Sequence, residues 1–125
     1  MMERLLRSFR DAFAGLAYCF ATQRNMAIHA AAGAAVLVLA FLLHLERWEF
    51  FLILSAVFAV LIAETINTAI EKAVDLATKE QHRLAHIAKD VAAGAVLLTT
   101  FYAVLVGVLI LGPRLWEALQ YLSIF

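Results

Sequence analysis

Hydrophobic residues dominate three segments of the chain, and none of these segments carries a formal charge. The segments 26–45 and 91–113 contain 20 and 23 residues, and about 20 apolar residues can cross a bilayer as an α-helix. The segment 50–63 contains only 14 residues before Glu64 interrupts it. By length alone it could be a short span or a buried soluble helix, but the two neighbouring spans favour a return crossing. The pattern therefore predicts three transmembrane helices, over about 26–45, 50–70 and 91–112.

The N-terminal region has a different periodicity. Large hydrophobic residues recur there at spacings of three and four: Leu6, Phe9, Phe13, Leu16 and Phe20. Such a stripe is typical of one helical face. It is common in soluble bundles, but the rest of the chain offers no soluble core. We therefore predict an amphipathic helix over about 3–22 on the membrane surface. Because Asp11 interrupts the stretch, we expect it to be retained rather than cleaved as a signal peptide.

Composition narrows the possible classes of protein. Hydrophobic residues make up 65% of the chain and the mean hydropathy is +0.88, too apolar for a soluble domain with a polar surface. The net charge of zero gives no overall field to attract nucleic acid, so no such partner is expected. The single cysteine, Cys19, excludes an intrachain disulfide and a cysteine-based metal site. We expect one membrane-embedded domain over residues 1–125.

Basic residues are distributed unequally between the two predicted sides of the membrane. Eight of the ten lie before the first span or between the second and third: Arg4, Arg7, Arg10, Arg24, Lys72, Lys79, Arg83 and Lys89. By the positive-inside rule this side is cytoplasmic, so we predict a multi-pass protein of the bacterial inner membrane with a cytoplasmic N-terminus. Pro113 is expected to end the third span, and the apolar residues after it suggest a short last helix along the outer interface.

Four polar side chains continue the second predicted span on one face. A helix turns about 100° per residue, so Asn67, Glu71 and Asp75 point within about 60° of Glu64. The residues from Phe50 to Glu64 cover about 21 Å of a hydrocarbon core about 30 Å thick, which places Glu64 several ångströms inside the cytoplasmic boundary. A carboxylate at that depth costs at least ~2 to 3 kcal/mol and usually faces a bundle interior on a functional path.

A second polar group, Lys89 and Asp90, directly precedes the third predicted span, at the start of its helix. Together with acidic oxygens it could hold a phosphate-bearing ligand with Mg²⁺. The ordinary alternative is a snorkelling lysine and an aspartate favoured at a helix N-terminus. Similarly, Asn67 could merely join helices, and His29 could be a hydrogen-bonded interfacial residue. The sequence contains no GxxxxGK[ST] motif and no kinase-type glycine-rich loop, so nucleotide binding would need an unconventional site.

The segment 64–75, ETINTAIEKAVD, resembles the signature of the prokaryotic diacylglycerol kinase and undecaprenol kinase family. Three further segments are similar to family elements in the same order: 9–15 (FRDAFAG), 25–29 (NMAIH) and 88–96 (AKDVAAGAV). The Ile28-His29 pair, NTAIE and AAGAV resemble the undecaprenol kinase branch more than the enteric diacylglycerol kinase branch. The resemblance implies an all-α integral membrane protein, with a surface helix and three transmembrane helices, that assembles as a homotrimer with composite sites between subunits.

The same resemblance implies a lipid kinase that moves the γ-phosphoryl group of MgATP to a lipid hydroxyl. Glu64 resembles the carboxylate that accepts the hydroxyl proton, and Gly15 and Glu64 resemble lipid-binding positions. Residues similar to the family's nucleotide ligands are Gln23, Asn67, Glu71, His82, Lys89 and Asp90. Glu71 and Gln23 resemble its Mg²⁺ ligands. The family is expected to have a glutamate where this chain has Gln23, so we expect weaker metal binding here.

Three other functions compete with undecaprenol phosphorylation. Diacylglycerol is the alternative acceptor for the same chemistry. A proton- or ion-conducting oligomer could use Glu64 as a relay, but it would not require Lys89 and Asp90 at the boundary. A structural membrane adaptor would tolerate neutralisation of the acidic row.

Overall fold

Residues 1–123 are described by the computed structural model, and they form four α-helices: α1 (Met2–Thr22), α2 (Arg24–Leu42), α3 (Arg47–Ala77) and α4 (Arg83–Leu122). The last three are each long and apolar enough to cross a membrane. The all-helical class and the number and order of the predicted spans are therefore confirmed. The predicted N-terminal helix is present as α1, while its position on a membrane surface stays a prediction.

The junction between α1 and α2 is a single extended residue, Gln23, with φ −103° and ψ 110°. Close to this junction Cys19 is buried. The Nζ atom of Lys72, near the end of α3, lies 5.9 Å from the centre of the Tyr18 ring, a cation–π distance. The end of α1 thus lies against the C-terminal part of α3.

The helices α2 and α3 form an antiparallel hairpin whose buried residues follow a regular spacing. In α2 the buried residues are Met26, Gly33 and Ala40. In α3 they are Glu49, Ile53, Ala56, Val60, Glu64 and Thr68. Spacings of three, four and seven put each set on one helical face, as in helix pairs that cross at a small angle. We call these two facing sets the α2–α3 seam.

The N-terminal end of α3 and the C-terminal part of α4 are joined by ion pairs. Glu46 and Glu49 form a reciprocal capping box at the start of α3, which satisfies backbone N–H groups that the helix itself leaves free. Arg114 Nη2 lies 2.8 Å from Glu49 Oε2 and 3.6 Å from Glu46 Oε1. The guanidinium therefore fixes α4 to the first turn of α3.

Pro113 does not end the third span, and the separate last helix predicted after it is not formed. The helix α4 continues through Pro113 to Leu122. A proline inside a helix removes one backbone hydrogen bond and strains the preceding turn, but transmembrane helices tolerate this where neighbouring groups compensate. Here Arg114, the next residue, is bound by α3, so the turn after the proline is held against the first turn of α3.

The C-terminal end of α3 and the N-terminal end of α4 extend beyond the predicted spans. The helix α3 reaches Ala77 and α4 already begins at Arg83, because charged turns outside the hydrocarbon are still good helix formers. Only residues 78–82 separate them. His82 caps α4, since its Nδ1 accepts a hydrogen bond from Leu84 N at 3.2 Å.

Candidate active site

Glu64 lies in the α2–α3 seam, where only 2% of its surface is exposed. One turn before it is Val60 and one turn after it is Thr68, both buried. The Thr68 hydroxyl donates to the Glu64 backbone carbonyl, so it does not engage the carboxylate. The carboxylate instead faces α2, where His29 Nε2 lies 3.3 Å from Glu64 Oε1.

Two buried oxygen atoms of the acidic row have no hydrogen-bond partner among residues 1–123. They are Oε1 of Glu64 and Oδ1 of Asn67. The Asn67 amide nitrogen does have a partner, since it donates to Glu71 Oε1 at 3.1 Å. Buried polar atoms are usually paired, so the two free oxygens mark positions where a ligand, ion or water would be stabilised.

The predicted nucleotide pair of Lys89 and Asp90 is divided between two contacts. Lys89 Nζ donates to Asp75 Oδ1 and so ties α4 to the end of the acidic row. Asp90 lies 3.3 Å from His86 on its own helix, and both side chains are exposed. Lys89 therefore stands beside the acidic row, as the sequence predicts, while Asp90 faces away from it.

A cavity of about 940 Å³ lies between the end of α3, the short loop and the start of α4. Its basic and imidazole side chains come from Lys79, His82, Arg83, His86 and Lys89, and its acidic ones from Asp75 and Glu80. Two of the predicted nucleotide residues, His82 and Lys89, thus line one space. An excess of cationic groups suits a phosphate-rich ligand.

Gln23 and Gly15 do not join the other predicted residues in the part of the chain that the structure describes. The Gln23 amide donates to Thr22 Oγ1 at 2.9 Å, and no hydrogen bond links it to Glu71. A Cβ atom built at Gly15 would meet nothing within 4 Å. The predicted lipid and metal roles of these two residues stay predictions.

Among residues 1–123, no group of three or more His, Cys, Asp or Glu side chains could enclose a metal ion. Mg²⁺ does not need such a cage, since it usually binds one or two carboxylates together with substrate phosphates and water. The Glu71 carboxylate and the free Asn67 Oδ1 are hard oxygen donors of that kind. The residues present therefore fit an Mg²⁺ ion that arrives with a nucleotide.

An apolar cleft of about 310 Å³ runs between α2, α3 and α4. It extends along α2 from His29 to Val36, and its walls include Val60 and Ile53 of α3. Because α2 and α3 are antiparallel, the cleft leads from the depth of His29 toward the turn between α2 and α3. Its inner end lies one turn from Glu64. A hydrocarbon chain in this cleft would bring its polar end close to the buried carboxylate.

His29 belongs to this site, although the sequence alone suggested an ordinary interfacial role for it. Its spacing from Met26 and Gly33 places it on the seam face of α2, and that spacing was visible in the sequence. What the sequence could not show is the register between α2 and α3, which sets His29 opposite Glu64.

Comparison with known proteins gives a match to one family profile and to two individual proteins. The sequence profile described as "Prokaryotic diacylglycerol kinase" matches residues 10–111. A protein of Synechocystis sp. named "Diacylglycerol kinase" is 51% identical over 112 residues, which cover 89% of this chain and 64% of that protein. A protein of Bacillus subtilis named "Undecaprenol kinase" is 40% identical over 114 residues, which cover 91% of this chain and 93% of that protein. The chain thus spans just under two thirds of the first relative and nearly all of the second.

Proposed function

The chain belongs to the prokaryotic diacylglycerol kinase family, and from this premise we propose that it transfers the γ-phosphoryl group of ATP to the hydroxyl group of a membrane lipid. The observation that carries the proposal is the buried Glu64 carboxylate, which has one oxygen without a hydrogen bond and lies one helical turn beyond the end of an apolar cleft. A general base at that position can meet a hydroxyl at the end of a lipid chain.

In the proposed reaction the lipid hydroxyl loses its proton to Glu64 as its oxygen attacks the γ-phosphorus. The bond between the γ-phosphorus and the bridging oxygen breaks at the same time, and ADP leaves. Phosphoryl transfer depends mainly on positioning and on stabilisation of charge, since little covalent chemistry is required of the protein. The chain therefore needs a fixed base, a place for the nucleotide and a dry route for the lipid.

The nucleotide is proposed to bind at the cytoplasmic cavity, with His82 and Lys89 facing its phosphates. Asn67 and Glu71 lie between this cavity and Glu64 along α3, and we assign them to the reacting phosphate and to Mg²⁺. When bound, Mg²⁺ would neutralise charge on the β- and γ-phosphate oxygens. Gln23 and Asp90 are proposed as further nucleotide contacts, Gln23 as the second metal ligand, and Gly15 as a lipid contact, on the family resemblance.

Undecaprenol is the proposed acceptor, because the segments NMAIH, NTAIE and AAGAV resemble the undecaprenol kinase branch. Diacylglycerol is the second candidate, since the relative with the higher identity, at 51%, carries that name. Both lipids have a primary hydroxyl group and long hydrocarbon chains, so the mechanism is the same for either.

The decisive experiment supplies purified protein with labelled ATP, Mg²⁺ and one of the two lipids in mixed micelles. Undecaprenol should give undecaprenyl phosphate at a higher kcat/KM than diacylglycerol gives phosphatidic acid. A preference for diacylglycerol would transfer the proposal to the second candidate. Failure to phosphorylate either lipid would contradict the kinase function of this chain.

The family resemblance also supports an assembly of three copies in the inner membrane of a bacterium, with the N-terminus in the cytoplasm. Such an orientation would place the proposed nucleotide cavity on the side where ATP is available. Native mass spectrometry in detergent should give three times the mass of the chain, and a stable monomer with full activity would exclude composite sites between subunits.

A further inference from the structure

His29 lies between two buried positions of the α2–α3 seam. Met26 precedes it by three residues and Gly33 follows it by four, so the three share one face of α2. A Cβ atom at Gly33 would stand 2.6 Å from Val57 Cγ1, which is closer than real Cβ contacts. The glycine therefore lets α2 approach α3 at this turn, and the approach brings His29 within reach of Glu64.

The Glu64 carboxylate needs a hydrogen-bond donor at its Oε1 atom. Its side chain is 3% exposed, and a buried carboxylate without donors is unfavourable, above all at membrane depth. His29 Nε2 is 3.3 Å from Oε1, at the long end of hydrogen-bond distances and with an orientation that does not complete the bond. Contacts of catalytic groups are often long without substrate and tighten in the reacting complex.

Among the residues around Glu64, His29 is the one suited to donate a hydrogen bond to Oε1. Glu71, the other carboxylate near this depth, lies seven residues further along α3 and already accepts from Asn67. On the α4 side, the cleft beside His29 is lined by Thr100 and Ala103, which do not titrate. His29 is also partly exposed to the cleft, so its ring has room to rotate.

We propose that His29 is the positioning residue for Glu64 in lipid phosphorylation. Its Nε2–H donates to Glu64 Oε1, and the carboxylate is thereby held with Oε2 free to accept the proton of the lipid hydroxyl at the inner end of the cleft. This role rests on the proposed function, in which Glu64 is the base. Fixing one oxygen of the base removes a rotation that would otherwise have to be restricted in the transition state.

Steady-state kinetics of the full chain with His29→Ala and His29→Gln test this role. His29→Ala should lower kcat on the order of 10- to 10²-fold, because a misplaced reacting group has an effect of that size. The KM for MgATP should not change, since the cavity proposed for the nucleotide is distant from His29. His29→Gln should recover most of kcat, because its amide can donate from a similar position. His44→Asn, in the turn between α2 and α3, serves as the histidine control and should leave both constants unchanged.

A double-mutant cycle separates positioning from a general loss of structure. If His29 acts through Glu64, adding His29→Ala to Glu64→Gln should cause little further loss of activity. Thermal unfolding of every variant identifies damage to the fold, and His29→Leu, which keeps apolar volume in the seam, must show the same kinetic loss as His29→Ala.

Two results would overturn the proposal: wild-type kcat in both apolar variants, or fully additive losses in the cycle. Failure of the wild-type chain to phosphorylate undecaprenol or diacylglycerol is a different result. It would overturn the proposed function itself, and with it the base that His29 is proposed to position.

Discussion

Glu64 combines three properties that rarely occur together in one side chain. It is ionisable, it is buried in the seam between two membrane-spanning helices, and its Oε1 has no hydrogen-bond partner among the described residues. Burial of such a group costs several kcal/mol unless something compensates. A residue kept for packing alone would not carry this cost, and a residue that exchanges a proton with a buried substrate would.

Replacing this carboxylate by an amide tests the assigned base. Glu64→Gln keeps the size of the side chain but removes its ability to accept a proton, so kcat should fall by about 10²-fold or more. Binding of nucleotide, measured by fluorescence titration, should be largely retained, because the cytoplasmic cavity is separate. Glu3→Gln, at the exposed start of α1, is the matched control. Retained turnover in Glu64→Gln would require another residue as base.

A negative charge introduced at position 23 should raise the affinity of the protein for Mg²⁺. Its amide oxygen can bind Mg²⁺ but adds no negative charge. Gln23→Glu should therefore lower the Mg²⁺ concentration at half-maximal activity by about fivefold or more, since a nearby unit charge contributes on the order of 1 kcal/mol or more to the affinity. Gln120→Glu adds the same charge at the far end of α4 and should have no effect. An unchanged Mg²⁺ titration would remove Gln23 from the metal site.

Some features of the acidic row could be predicted from the sequence, and others could not. Glu64, Asn67 and Glu71 could be placed on one face because helical geometry alone fixes their relative directions. The partners of these residues could not, because contacts between helices depend on register. The sequence therefore gave no means to foresee that Glu64 would face His29, or that Asp75 rather than Asp90 would bind Lys89.

At the scale of helices, the existence and order of the spans follow from hydrophobic length, but their ends do not. Loss of apolar character marks the edge of the membrane, whereas a helix ends where capping and backbone hydrogen bonds end. The helices α3 and α4 therefore extend past the predicted limits on the cytoplasmic side. The prediction that Pro113 ends the third span was wrong for the same reason. The ion pairs of Arg114 with α3 depend on tertiary structure, which hydrophobic length does not reveal.

Arg114 should be a stabilising residue of the outer end of the bundle. Arg114→Met would leave the nearly buried Glu49 with one backbone hydrogen bond from Glu46 and without its cation, at a cost of about 1 to 3 kcal/mol. The temperature of unfolding in detergent should fall accordingly. Arg47→Met is the control, because Arg47 forms no ion pair within 4 Å among residues 1–123.

A second change tests whether the unpaired Glu49 carboxylate causes this loss of stability. In Arg114→Met combined with Glu49→Gln the nearly buried side chain at position 49 carries no charge, so the double variant should be more stable than Arg114→Met alone. If Arg114→Met unfolds at the same temperature as Arg47→Met, the ion pairs do not hold α4 in place.

For the molecule as a whole, the structure changes one reason for expecting an oligomer. A three-helix protomer offers few helices to enclose a polar face, yet Glu64 is buried within a single chain. Asn67 and Glu71 are only partly buried and Asp75 is exposed. These are the polar side chains that a neighbouring copy would still have to cover. The trimer therefore rests more on the family resemblance than on the need to cover the catalytic carboxylate.

The proposed function also requires one orientation of the whole molecule. ATP is cytoplasmic, so the cavity around the loop 78–82 must face the cytoplasm, and the turn between α2 and α3 must face outward, as the distribution of basic residues predicts. In a Cys19→Ala background, Arg47→Cys should react with a membrane-impermeant maleimide in intact spheroplasts, whereas Glu80→Cys should react only after lysis. The opposite labelling would put the nucleotide cavity outside the cell. It would contradict both the orientation and the nucleotide sites, while the helices themselves would remain as described.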